Sequence, residues 1–95
     1  MISTHVLDTE QGRPAAGVTV ELYRGDELVG SGETDADGRL ELGEISDPGD
    51  YRLVFHPVSS PFFKRVEVEI SIDDPGRLHV PLLLAPYSCT TYRGS

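Results

Sequence analysis

The sequence predicts an all-β domain, a two-sheet sandwich of seven to eight short strands, and three observations carry that expectation. Apolar and polar residues alternate with period two along most of the chain, and no stretch sustains the i, i+3, i+4, i+7 repeat of an amphipathic helix. Turn-forming clusters recur at short intervals, among them Gly12-Arg13-Pro14, Gly25-Asp26, Asp37-Gly38, Asp47-Pro48-Gly49-Asp50 and Asp74-Pro75-Gly76. A length of 95 residues suffices for one hydrophobic core and not for two, so residues 1–95 read as a single domain.

Strands are expected near residues 2–8, 17–23, 27–34, 39–43, 50–56, 65–72 and 78–92, the last broken by Pro86. In the first, Ser3, His5 and Leu7 share one face and Ile2 and Val6 the other, because successive side chains of a strand point to opposite sides. In the second, Val18, Val20 and Leu22 alternate with Thr19, Glu21 and Tyr23, the pattern of a strand with one wet face. Asp37-Gly38 reads as a hairpin turn leading into the strand at 39–43. The segment Thr34-Asp35-Ala36-Asp37-Gly38 offers two carboxylates and a glycine, but it lacks the glycine at position six and the glutamate at position twelve of a calcium loop, so metal binding is set aside. Tyr51, Leu53 and Phe55 are joined by an apolar Val54, which implies cover on both faces of that strand. Val66, Val68, Ile70 and Ile72 alternate with Glu67, Glu69 and Ser71. The run Leu78-His79-Val80-Pro81-Leu82-Leu83-Leu84 is apolar except for one imidazole, and a long apolar strand of this kind must be paired or covered at its edge.

Asp and Glu total 16 against 8 Lys and Arg, and the resulting charge of −8 repels nucleic-acid phosphates and anionic membrane surfaces. Neither is an expected partner. An electron-rich small substrate would have to be held by local cations against that field. The single cysteine, Cys89, cannot close an internal disulfide, and with no helix terminus or base beside it we read it as a small packing residue. No secretory leader or membrane-length apolar run is visible, so the expected location is cytoplasmic.

The framework of Gly12 to Val18, Thr34 to Gly38 and Pro48 to Tyr51 resembles many prealbumin-like sandwich modules and by itself speaks only to fold. Four further segments carry a sharper likeness: Ser3-Thr4-His5-Val6-Leu7-Asp8, Asp37-Gly38-Arg39, His79-Val80-Pro81-Leu82-Leu83-Leu84 and Tyr92-Arg93-Gly94-Ser95. Together they resemble the 5-hydroxyisourate hydrolases of the transthyretin-related family, over the length of the chain. Hormone-carrying transthyretins share the fold and the turn at Pro86-Tyr87-Ser88, but not the Tyr-Arg-Gly-Ser tail or the two histidines. Two departures stand out: the family's usual His-Tyr-His box reads Arg77-Leu78-His79 here, and the stretch from His56 to Phe62 is short, which leaves the family's small helix shortened or absent.

The resemblance implies a transthyretin-like sandwich that opens the six-membered ring of 5-hydroxyisourate in urate degradation, giving 2-oxo-4-hydroxy-4-carboxy-5-ureidoimidazoline. It implies no cofactor and no metal, and a homotetramer built as a dimer of dimers. His5, Arg39, His79 and Ser95 take the catalytic places, and Tyr92, Arg93 and Gly94 bind substrate. Imidazole, with an ordinary pKa of about 6.5, suits the removal of a proton from water near neutrality. A guanidinium offers a planar fork of donors to a developing oxyanion. Gly94 is expected to permit a tight bend that folds the tail into the site. The competing reading is a non-enzymatic β-sandwich binding or carrier module, in which His5, Arg39 and His79 would be scattered over the surface.

Overall fold

The structure, a computed structural model, describes residues 1–58 and 60–95. Ten strands form in chain order: β1 Ile2–Asp8, β2 Arg13–Pro14, β3 Thr19–Arg24, β4 Glu27–Glu33, β5 Arg39–Gly43, β6 Gly49–His56, β7 Val66–Ile72, β8 Leu78–His79, β9 Leu82–Leu84 and β10 Cys89–Thr91. They make two facing sheets, one centred on β1 with β2, β5, β8, β9 and β10, the other in the order β4-β3-β6-β7. No helix occurs among the described residues, in keeping with the short 56–62 segment, of which Ser59 lies outside the described residues.

β1 organises the first sheet. Its first half pairs antiparallel with β5 and parallel with β8, and its second half pairs antiparallel with β2 and parallel with β9. Its inward residues Ile2, Thr4 and Val6 are buried, while Ser3, His5 and Leu7 face outward and are half-buried, as the alternation requires. Buried Thr4 would be costly without a partner, and its hydroxyl donates to the Val80 carbonyl at 2.6 Å. The core between the sheets is closed by Val18, Val20, Leu22, Leu53, Phe55, Ile72, Val80 and Leu82. Each fully buried side chain of this size contributes about 1.5–3 kcal/mol of transfer free energy. Val54 points the other way and is also buried, at 4% exposure. On that outer face Glu21 and Glu67 flank it in register, and the Arg52 guanidinium lies 4.7 Å from the Tyr23 ring centre.

Three expectations need correction. The apolar run at 78–92 is interrupted twice, because Pro81 has no N–H to offer a ladder and ends β8, and a turn closed by Ala85 N–H donating to the Ser88 carbonyl at 2.8 Å separates β9 from β10. Asp37-Gly38 does not close a hairpin, since β4 and β5 belong to different sheets and the turn carries the chain from one to the other. Cys89 is exposed on β10 and packs into no core of this chain.

Candidate active site

Register places the chemistry on the outward face of the β1 sheet. His5 stands opposite Arg39 of β5, and Ser3 stands opposite His79 of β8. Gly94 forms a bridge to His79, its N–H donating to the His79 carbonyl at 2.7 Å, and this draws Arg93 and Ser95 to the same face. The result is a cleft of about 450 Å³ bordered by Ser3, Arg39, Arg77, His79, Arg93, Gly94 and Ser95. That is in the range of a small-ligand site.

The turn before β5 is built to hold His5 and Arg39. The Asp35 carboxylate accepts from the Asp37 and Arg39 N–H groups at 2.9 and 3.0 Å. Gly38 sits at φ +75°, and a Cβ there would lie 2.4 Å from the Val6 carbonyl oxygen, so both conformation and space demand glycine. The Asp37 carbonyl so placed accepts from His5 Nε2 at 2.8 Å. A carbonyl can only accept, so Nε2 carries the hydrogen and neutral His5 keeps its lone pair on Nδ1.

His79 Nδ1 lies 2.9 Å from the Ser3 hydroxyl oxygen, whose own hydrogen has the Leu78 carbonyl as an acceptor at 3.4 Å. With the hydroxyl hydrogen so directed, Ser3 accepts from Nδ1–H and the His79 Nε2 lone pair is free. Burial holds the His79 pKa below the ordinary imidazole value, and the charges of Arg39 and His5 push it the same way. A neutral imidazole beside fixed cations can take a proton, and the cations can receive negative charge as it develops.

Of the residues singled out from sequence, Arg39, His79, Arg93, Gly94 and Ser95 meet at this cleft. His5 stands beside it, across from Arg39. Tyr92 does not border it: 53% exposed, it lines a separate groove with Val68, Ile70, Leu78 and Val80. Gly94 has no positive φ, so its role is close approach to His79 and not the tight bend expected. Ser3 and Arg77 were given no site role from sequence; Ser3 was legible, since it lies two residues from His5 on the same strand face, whereas Arg77 precedes β8 and only the fold brings it to the cleft. The remaining histidine, His56, serves the other sheet, with Nε2 2.7 Å from Glu21. That hydrogen bond holds the Glu21 carboxyl below its usual pKa. No group of three or more His, Cys, Asp or Glu side chains able to hold a metal ion is found among the described residues.

A β-sandwich whose wet sheet face gathers imidazoles and guanidiniums over a small cleft belongs to the class of small-ligand proteins equipped for acid–base chemistry. The chain belongs to the HIUase/Transthyretin family, whose model matches residues 2–94. It is 40% identical to a 5-hydroxyisourate hydrolase of Deinococcus radiodurans, over 99% of this chain and 95% of that protein. It is 41% identical to 5-hydroxyisourate hydrolase 2 of Rhizobium meliloti, with the same coverage of 99% and 95%. Its fold superposes on the 5-hydroxyisourate hydrolase of Klebsiella pneumoniae with a TM-score of 0.87 and 34% identity, covering 99% of this chain and 97% of that one.

Proposed function

We propose that this protein hydrolyses 5-hydroxyisourate to 2-oxo-4-hydroxy-4-carboxy-5-ureidoimidazoline in urate degradation, with His79 as general base. The observation that carries the mechanism is the meeting of His79, Arg39 and the 93–95 tail at one cleft. Water attacks the ring carbonyl carbon as its proton passes to His79 Nε2. The oxyanion that forms is met by Arg39, an interaction worth about 3–4 kcal/mol where a donor is well placed. Collapse breaks the carbon–nitrogen bond, the proton on His79 goes to the departing ring nitrogen, and the new carboxylic acid ionises. His5, fixed through the Asp37 carbonyl, orients water or substrate beside Arg39. Ser3 holds the His79 ring. No cofactor takes part in this scheme.

The active assembly we propose is a homotetramer, a dimer of dimers in the cytoplasm. β7 and β10 each leave one edge unpaired among the described residues, and pairing such edges between copies would cover them. Tyr92, which faces away from the cleft of its own chain, would bind substrate only if assembly brings it to a cleft. The test is ultraviolet and circular-dichroism monitoring of fresh 5-hydroxyisourate against a protein-free control. An enzyme gives faster decay and one enantiomer of product, and a racemic product at every protein concentration would remove the assignment.

A further inference from the structure

Three of the chain's eight Lys and Arg residues, Arg39, Arg77 and Arg93, border the one cleft. None has a carboxylate within 4 Å among the described residues, although the ion pairs of Arg24, Arg52 and Arg65 show that the acidic surface supplies partners elsewhere. Glu41, in register with Ser3 on the same sheet face, pairs with none of the three, and like charges gathered outside ion-pair range of a carboxylate repel one another, so an anionic occupant is favoured. Arg39 faces His5, and Arg93 rides on the tail. Arg77 has neither neighbour's role: it is exposed at the border of the cleft, two residues before His79 and just ahead of β8. Its backbone is nonetheless fixed, since the next residue, Leu78, pairs with Ile2 and donates its N–H to the Met1 carbonyl at 2.8 Å.

We propose that Arg77 is an anion anchor that gives this cleft a preference for heterocycles bearing a carboxylate, the group that ring opening creates. The proposal rests on the hydrolase reading for its biological ligand. Hydrolysis turns a ring carbonyl into a carboxylate and adds one negative charge to the bound molecule, next to a side chain whose flat fork of donors matches that group. The product therefore competes with the substrate, and Arg77 sets how strongly.

A stable matched pair tests this without turnover: orotate, a planar heterocyclic carboxylate, and uracil, the same ring without it. Calorimetric titration of the full chain should show orotate binding more tightly than uracil. Arg77→Met should weaken orotate by roughly ten-fold, the lower end for a charge-assisted hydrogen bond at a solvent-facing site, and leave uracil unchanged. Arg77→Lys should keep part of the preference, and rising salt should erode it. Lys64→Met, an exposed cation outside the cleft, should change nothing. Melting temperatures confirm that each variant folds. Equal binding of orotate and uracil by the native chain, native orotate affinity in Arg77→Met, or equal loss of both ligands would overturn the anchor. If the native protein turns over no 5-hydroxyisourate but keeps an Arg77-dependent orotate preference, the hydrolase reading falls and the anchor stands.

Discussion

Replacing Gly94 with alanine should separate activity from stability. A Cβ at that position would lie 2.7 Å from Cδ2 of the His79 ring and 3.3 Å from both the His79 carbonyl oxygen and Pro81 Cδ. Carbon atoms rest about 3.5–4.0 Å apart, so the ring must retreat by roughly 0.8–1.3 Å or the tail must swing away. The first shifts the base and the second opens the 2.7 Å hydrogen bond from Gly94 N–H to the His79 carbonyl. A displacement of about 1 Å at a reacting centre costs on the order of 10² in rate. Folding should lose only about the 0.5–1.5 kcal/mol of one hydrogen bond, and about 1 kcal/mol moves the melting temperature of a domain this size by roughly 4–8 °C. Gly76→Ala is the matched control, because a Cβ there meets nothing within 4 Å. The assay is the initial rate of 5-hydroxyisourate loss, corrected for spontaneous decay, beside a thermal melt. A native rate in Gly94→Ala would refute the placement of the tail against His79.

His5→Asn and His79→Asn should each lower the catalysed rate by roughly 10²–10⁴ while the fold holds, and the double variant should lose far less than the product of the two, as groups acting as a unit do; rates and melts of the three variants check this. The acidic limb of kcat/KM should fall at a pH below the ordinary imidazole value, because the base works only when neutral and burial keeps His79 neutral further into acid. Arg39→Gln removes the second cause of that shift and should move the limb part of the way up, a change read from the pH profile. The matching stability term has the opposite sense to a salt-bridged histidine: with its folded pKa depressed, His79 favours the folded state above the ordinary value, and that contribution is lost as pH falls through the depressed one. Deleting Arg93-Gly94-Ser95 should abolish turnover yet shift the melt by no more than about 12 °C, since a single bridge holds the tail; paired melts and rates test it.

The fold was legible where the period-two pattern is clean. Val18, Val20 and Leu22 are buried as the alternation demands, and so are Ile2 and Val6. Pairing between distant strands was not legible, because alternation fixes which face a residue takes and says nothing of its neighbour. Asp37-Gly38 shows the limit, since the same dipeptide closes a hairpin or, as here, passes the chain between sheets. Arg77, named only as a departure from the family box, and Ser3, named only within its motif, were given no site role for a related reason. The face of Ser3 followed from β1, but Arg77 lies ahead of β8, and only the parallel register of Ser3 with His79 brings the two to one cleft. Gly94 was singled out for the wrong physical cause, as close approach leaves no mark in a sequence distinct from backbone freedom.

β1 is hydrogen-bonded along both edges, whereas the tail hangs on one bridge at Gly94. The two halves of the site therefore open at very different free energies. The amides of Thr4 and Val6 should exchange with solvent far more slowly than that of Gly94, which a local fluctuation suffices to release, and amide exchange measures the difference. A ligand that bridges the halves has little ordering to do on the strand side and nearly all of it on the tail.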